Sequence, residues 1–149
     1  MMTTAVVADQ PLVSVIWNGY GQVTAARDGV AALQAQGYRN FELLLVDDRS
    51  SEGECREDLR TFATHDRRIR LVPRIAVNSG ESLLHLLRQC RGDYIAICPI
   101  EGHFSTDALQ FAVDAFDKHP QTGIVCGENF LIDAHGKSEP EVDVVTLLF

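Results

Sequence analysis

Several features are missing from this sequence of 149 residues, and each absence removes a class of protein. There is no excess of positive charge: 21 acidic residues against 13 lysines and arginines give a net charge of −8. An extended nucleic-acid surface needs a basic stripe for its phosphate contacts, so that class is excluded. A nucleotide held as a small ligand stays open, because backbone N–H groups or a metal ion can hold phosphates. No apolar run approaches the ~20 residues of a membrane-spanning helix. Met1 to Gln10 lacks the basic start and long apolar centre of a secretion signal. Cys55, Cys90, Cys98 and Cys126 form no C-x-x-C pair and no zinc-like spacing. Three of them fall in predicted helices or strands, which reads as reduced core cysteines in a cytoplasmic protein. Internal repeats and low-complexity segments are also lacking. What remains is 46% hydrophobic and 23% charged, long enough for one domain with a real core and too short for two.

That domain is organised around Phe41 to Ser51, Phe-Glu-Leu-Leu-Leu-Val-Asp-Asp-Arg-Ser-Ser. Glu42 to Val46 has almost no polar interruption, the pattern of a strand covered on both faces in a parallel sheet flanked by helices. It runs out at Asp47 and Asp48, adjacent carboxylates that repel each other. Open α/β sheets bind ligands outside the carboxyl ends of their strands, which makes this pair a candidate site. A strand-to-helix turn with a capping residue is the plainer account of the same residues.

Periodicity sets the elements on either side. Residues 1–10 read as a tail and 11–149 as the domain. Leu12 to Trp17 is the first strand, followed by the loop Asn18-Gly19-Tyr20-Gly21. A helix from about Gln22 to Gln36 carries Val23, Ala26, Val30 and Leu33 on one face and ends on Gly37 as a C-cap. Glu54 to His65 is a second helix, with Cys55, Leu59, Phe62 and Ala63 inward, and Ile69 to Val72 a short strand closed by Pro73. After Asn78 a helix to about Arg91 turns Leu83, Leu84, Leu86, Leu87 and Cys90 inward. Tyr94 to Cys98 is the fourth strand. Ser105 or Thr106 caps a helix with Leu109, Ala112, Val113 and Phe116 inward, stopping before Pro120. Ile124 to Cys126 and Asn129 to Ile132 are strands, and Asp133 to Gly136 a turn. The fold class is α/β, a three-layer α/β/α sandwich with a mostly parallel sheet.

Gly19-Tyr20-Gly21-Gln22-Val23-Thr24 has the G-x-G-x-x spacing of a dinucleotide loop but lacks its third glycine. A phosphorelay receiver would need an aspartate at a neighbouring strand end, and those ends are Val72-Pro73 and Cys98-Pro99, so that class fails.

A third pattern covers more of the chain. Val13-Ser14-Val15-Ile16 with Tyr20, Ala35-Gln36-Gly37-Tyr38-Arg39-Asn40-Phe41-Glu42, Val46-Asp47-Asp48-Arg49-Ser50-Ser51 and Gly92-Asp93-Tyr94-Ile95-Ala96 follow in order. His119-Pro120 through Gly123-Ile124-Val125, then Leu131-Ile132-Asp133 with Gly136-Lys137, complete the series. Together they resemble the donor-binding half of a family 2 glycosyltransferase of GT-A fold. The corresponding motifs there read V-S-V-I-I-P-T-Y-N, A-Q-T-Y-P-N-F-E, V-D-D-G-S-T-D, G-E-Y-I-A, H-P-x-x-G-V-V and L-I-D-x-x-G-R.

The resemblance implies transfer of a sugar from a nucleoside-diphosphate sugar to an acceptor hydroxyl. It implies that Tyr20 stacks on the base and Asp48 accepts a hydrogen bond from a ring nitrogen, with Asn18, Asp47 and Asn78 completing the nucleotide-binding set. A carboxylate is acceptor-only and an imide N–H is a donor, so the pairing is chemically sound. The resemblance also implies Mg²⁺ or Mn²⁺ on the diphosphate, held by a D-x-D. This chain has Pro99-Ile100-Glu101 there, a degenerate motif in which only Glu101 could be a metal ligand; Cys98 and His103 beside it read as a strand cysteine and a loop histidine. Asn18-Gly19 replaces the Pro-Thr of the first loop, and Leu83-Leu84-His85 stands where Ala-Arg-Asn is expected. The family's general base is a later Asp in the acceptor half. The chain, whose Val142 to Phe149 is apolar with no polar tail, is therefore read as truncated at its C-terminal end and inactive alone. The competing expectation is a non-catalytic binding or interaction module of a longer protein, with an NAD-binding domain third.

Overall fold

The structure, a computed structural model, describes residues 10–17, 23–47, 54–73, 79–98, 104–127, 129–132, 138–141 and 147–148. The chain runs β1 (Val13–Trp17), α1 (Val23–Gln34), β2 (Phe41–Asp47), α2 (Glu54–His65), β3 (Ile69–Pro73), α3 (Ser79–Gln89), β4 (Tyr94–Cys98) and α4 (Ala108–Lys118). Four short strands follow: β5 (Val125–Cys126), β6 (Asn129–Ile132), β7 (Ser138–Glu141) and β8 (Leu147–Leu148). Six strands share one sheet in the order β3-β2-β1-β4-β8-β5, and β6 pairs with β7 in a separate antiparallel ribbon. β1 lies parallel to β2 and β4, and β2 parallel to β3. β8 is antiparallel to both β4 and β5.

Side-chain alternation along the strands supplies two apolar faces. On one, Val13, Val15, Trp17, Phe41, Leu43 and Leu45 meet Val30 and Leu33 of α1, Leu59 of α2, and Leu109, Ala112, Val113 and Phe116 of α4. On the other, Ile16, Leu44, Val46 and Val72 meet Leu86 of α3. Residues 41–46 are buried throughout, as a strand covered on both faces must be. The expected three-layer α/β/α sandwich is the one observed.

The exceptions have identifiable causes. The sequence pattern turns Leu83 and Leu84 of α3 inward, but they are 39% and 47% exposed. Five apolar positions in eight residues span more of the helix circumference than one core-facing stripe covers. Ser82, one turn before Leu86, takes the inward place instead. α1 ends at Gln34, and Gly37 is not a left-handed C-cap; its N–H donates to the Thr106 carbonyl at 3.0 Å. Neither Ser105 nor Thr106 caps α4: Asp107 holds the cap position without a side-chain bond. The side chain that serves α4 is the buried Gln36, 73 residues away, which donates to the Ser105 carbonyl (2.5 Å) and accepts from Leu109 N–H (3.3 Å). β7 was not signalled at all, since its sequence Ser-Glu-Pro-Glu has no strand pattern of its own.

A buried polar centre holds the amino edge of the sheet. Ser14 is fully buried and Glu42 is 6% exposed. Ser14 Oγ donates to Glu42 Oε1 (2.7 Å), Arg91 N–H donates to the same oxygen (2.7 Å), and Gly92 N–H donates to Ser14 Oγ (2.8 Å). Arg70 Nη1 pairs with Glu42 Oε2 (2.7 Å) and donates to the Gln89 carbonyl (3.1 Å). One carboxylate thus ties β1, β2 and β3 to the turn between α3 and β4.

Two carboxyl groups should make the fold acid-sensitive. Burial pushes Glu42 up, but the Ser14 hydroxyl, the Arg70 guanidinium and Arg91 N–H outweigh it and hold the group below its ordinary 4.5. At Asp66 the hydrogen bonds from Arg68 lead, opposed by burial and helped by Gln34, and the group lies far below its ordinary 3.8. Both are depressed in the folded state, so their stabilisation is complete above the unfolded values and is lost as pH falls from there through the lower folded ones. The melting temperature should be flat above about pH 5 and fall steadily below about pH 4. Asp66→Asn, followed by calorimetry across that range, should flatten the acid limb; an unchanged slope would refute the assignment.

Candidate functional site

Parallel strands deliver the chain to a common edge. Trp17, the last residue of β1, is level with Leu45 of β2 and Cys98 of β4. β2 continues past that level to Asp47, which pairs with Pro73 at the end of β3. From β1 the chain steps outward to β2 and β3, and α3 then carries it back to β4 on the other side of β1. Such a reversal opens a crevice between the two strands that flank it. Here those strands are β1 and β4, and Trp17 and Cys98 end them.

Each helix that joins two parallel strands must run back from the carboxyl edge to the amino edge. The N-terminal ends of α1, α2 and α3 therefore belong to the crevice side, and their partial positive charge suits an anion such as a diphosphate.

Of the residues singled out in the sequence, Asp47 is placed at the tip of β2, beside the end of β1. Asn18, Tyr20, Asp48, Asn78 and Glu101 lie outside the described residues. Each adjoins a described element: Asn18 and Tyr20 follow Trp17, Asp48 follows Asp47, Asn78 precedes Ser79 of α3, and Glu101 comes after Cys98.

Cys98 is 2% exposed, and burial pushes its thiol up to about 12. It is therefore protonated near neutrality. Among the described residues no three His, Cys, Asp or Glu side chains gather as a metal-binding group.

Sequence reasoning passed over Trp17 and Gly29. Trp17 is 2% exposed, and its indole N–H has no acceptor among the described residues. A buried donor without a partner costs roughly 1–3 kcal/mol. Gly29 sits inside α1, where glycine costs about 1 kcal/mol relative to alanine. A Cβ on Gly29 would lie 3.3 Å from Trp17 Nε1. The available signal was the chain's single tryptophan at a strand end, with a glycine in the middle of the next predicted helix.

Comparison with known proteins agrees with this geometry. The sequence profile described as "Glycosyl transferase family 2" matches residues 16–141. The "Uncharacterized protein y4gI" of Sinorhizobium fredii is 31% identical over 144 residues, covering 91% of this chain and 16% of that protein. The "Putative glycosyltransferase EpsE" of Bacillus subtilis is 34% identical over 87 residues, 58% of this chain and 31% of that one. The chain thus spans less than a third of either relative. Among solved structures, the mannosyltransferase PcManGT from Pyrobaculum calidifontis, in complex with GDP-Man and Mn²⁺, superposes with a TM-score of 0.69 at 21% identity. That match covers 81% of this chain and 36% of that one, and it identifies the fold.

Proposed function

Because the chain belongs to glycosyl transferase family 2, we propose that it is the donor-binding half of an enzyme that moves a sugar from a nucleoside-diphosphate sugar to an acceptor hydroxyl. The observation that carries this reading is the reversal of sheet order between β1 and β4, with Asp47 at the tip of the adjoining strand. In this reading Tyr20 stacks on the base, Asp48 accepts from its ring N–H, and Asn18, Asp47 and Asn78 complete the nucleotide contacts. The ends of α1, α2 and α3 meet the diphosphate charge. During transfer the bond from the anomeric carbon to the phosphate oxygen breaks, a bond to the acceptor oxygen forms, and the acceptor proton passes to a base supplied by the remainder of the longer protein. Residues 11–149 form the donor domain, with 1–10 as a tail.

The residues present fit a divalent ion poorly. A hard cation on two phosphates is held by oxygen donors. Pro99-Ile100-Glu101 offers one carboxylate, and Cys98 beside it is a buried neutral thiol. No step of the proposal runs through a metal, although the PcManGT structure contains Mn²⁺. A cytoplasmic setting belongs to the same reading and is supported by thiols built into the packing at Cys90 and Cys98. No helix among the described residues is long and apolar enough to cross a membrane.

Titrating UDP, GDP and NAD⁺ into the 149-residue chain by calorimetry tests the proposal. UDP or GDP should bind and NAD⁺ should not. Asp48→Ala should weaken binding by about 10- to 100-fold, the scale of a hydrogen bond to a charged group. Mn²⁺ should leave the affinity unchanged; tightening would return Glu101 to a metal-holding role. No nucleotide binding at millimolar concentration would defeat the donor-site reading.

A further inference from the structure

Two unfavourable choices coincide at the carboxyl end of β1, and nothing in the proposed donor site accounts for them. Trp17 is buried with an indole N–H that has no acceptor among the described residues, and the helix packed on it carries a glycine at the point of contact. A Cβ at Gly29 would lie 3.3 Å from Nε1, 3.7 Å from Cε2 and 3.9 Å from Cδ1, so a methyl group there would press on the five-membered ring of the indole and displace it by a few tenths of an ångström. An aliphatic residue at 17 with alanine at 29 would fill such a space without either drawback. Natural sequences break local rules of this kind mainly where function demands it.

The position suggests the demand. Trp17 is the last residue of β1, level with Cys98 across the crevice, and the next residues in the chain are Asn18 to Tyr20. Its side chain lies on the sheet face that packs against α1, whose N-terminal end belongs to the same edge. A rigid indole pressed on bare helix backbone fixes the strand end relative to the helix more closely than a flexible aliphatic chain would.

We propose that Trp17, seated on Gly29, is a positioning residue for the nucleotide, setting the distance between the carboxyl end of β1 and helix α1. This rests on the donor-site reading and adds to it a residue that acts through the spacing of β1 and α1. The test is a cycle of Gly29→Ala, Trp17→Phe and the double variant, with UDP and GDP affinity and melting temperature measured for each. The single tryptophan also gives one indole N–H resonance to follow.

Gly29→Ala should weaken nucleotide binding by about tenfold, the scale on which residues in contact couple, with the melting temperature little changed. In the Trp17→Phe background the added methyl should have no further effect, because the smaller ring leaves room for it. Saturating nucleotide should shift the indole resonance of the unmodified chain. Equal nucleotide affinity in Gly29→Ala and the unmodified chain would overturn the positioning role while leaving the donor site intact. Should Gly29→Ala fail to fold, Trp17→Phe alone decides, and an unchanged affinity there overturns the role. Absence of binding by the unmodified chain would remove both proposals together.

Discussion

Glu42→Ala should lower the melting temperature by about 10 °C. The substitution leaves the Arg70 guanidinium without its carboxylate and removes the acceptor shared by Ser14 Oγ and Arg91 N–H. Removing one partner of a buried pair typically costs about 3–5 kcal/mol. Arg70 is 24% exposed and can recover part of its hydration, so the lower end applies. A domain of this size loses roughly 2–4 °C per kcal/mol. If an uncompensated charge is the main cost, Arg70→Met in the Glu42→Ala background should restore part of the loss, whereas independent sites would simply add. A thermal scan of the three variants decides between these, and a shift of only a degree or two for Glu42→Ala would mean that the polar centre is replaceable.

Gly92→Ala should be nearly as damaging, for a different reason. A Cβ there would stand 2.6 Å from the Leu12 carbonyl oxygen, 2.6 Å from Ser14 N and 2.8 Å from Ser14 Oγ. Two of those three atoms are main chain, so no rotamer change can clear them, and β1 or the α3–β4 turn has to move. Overpacking of this kind costs about 1–3 kcal/mol and occasionally more. The displaced turn also carries the Asp93 and Tyr94 N–H bonds to the Leu12 carbonyl (2.8 and 3.2 Å). Trimming the hydroxyl with Ser14→Ala should therefore fail to rescue Gly92→Ala. Rescue would show that the side-chain contact, and not the backbone approach, requires the glycine.

These two residues show where sequence reasoning reaches its limit. Glu42 could be recognised as the opening of a buried strand, but its partners are 28 and 49 positions away, and no local pattern pairs them. Gln36 serving α4 across 73 residues is the same kind of case. In contrast, Leu109, Ala112, Val113 and Phe116 repeat with the helix period and are all buried as expected. Amphipathic elements and their order could be read because burial imposes its period on the sequence itself. The end of β2 could be read for a related reason: the apolar run gives out at Asp47, which is the last residue of the strand. Trp17 and Gly29 escaped notice because tryptophan at a strand end and glycine in a helix are each unremarkable singly. Only the fold brings them together, so closely that a Cβ on Gly29 would lie 3.3 Å from Trp17 Nε1.

The place of β8 has a consequence for the timing of synthesis. β5 is made before β8, yet among the described residues its only sheet partner is β8, which also closes the side of β4 away from β1. As the chain emerges from the ribosome, β1 to β4 can assemble while residues 147–148 are still to come. During that interval the outer edge of β4 presents unpaired backbone groups, the template on which strands of other molecules add. The pairing of Leu148 with Ala96 of β4, and of β5 with β8, follows only once residues 147–148 have been made.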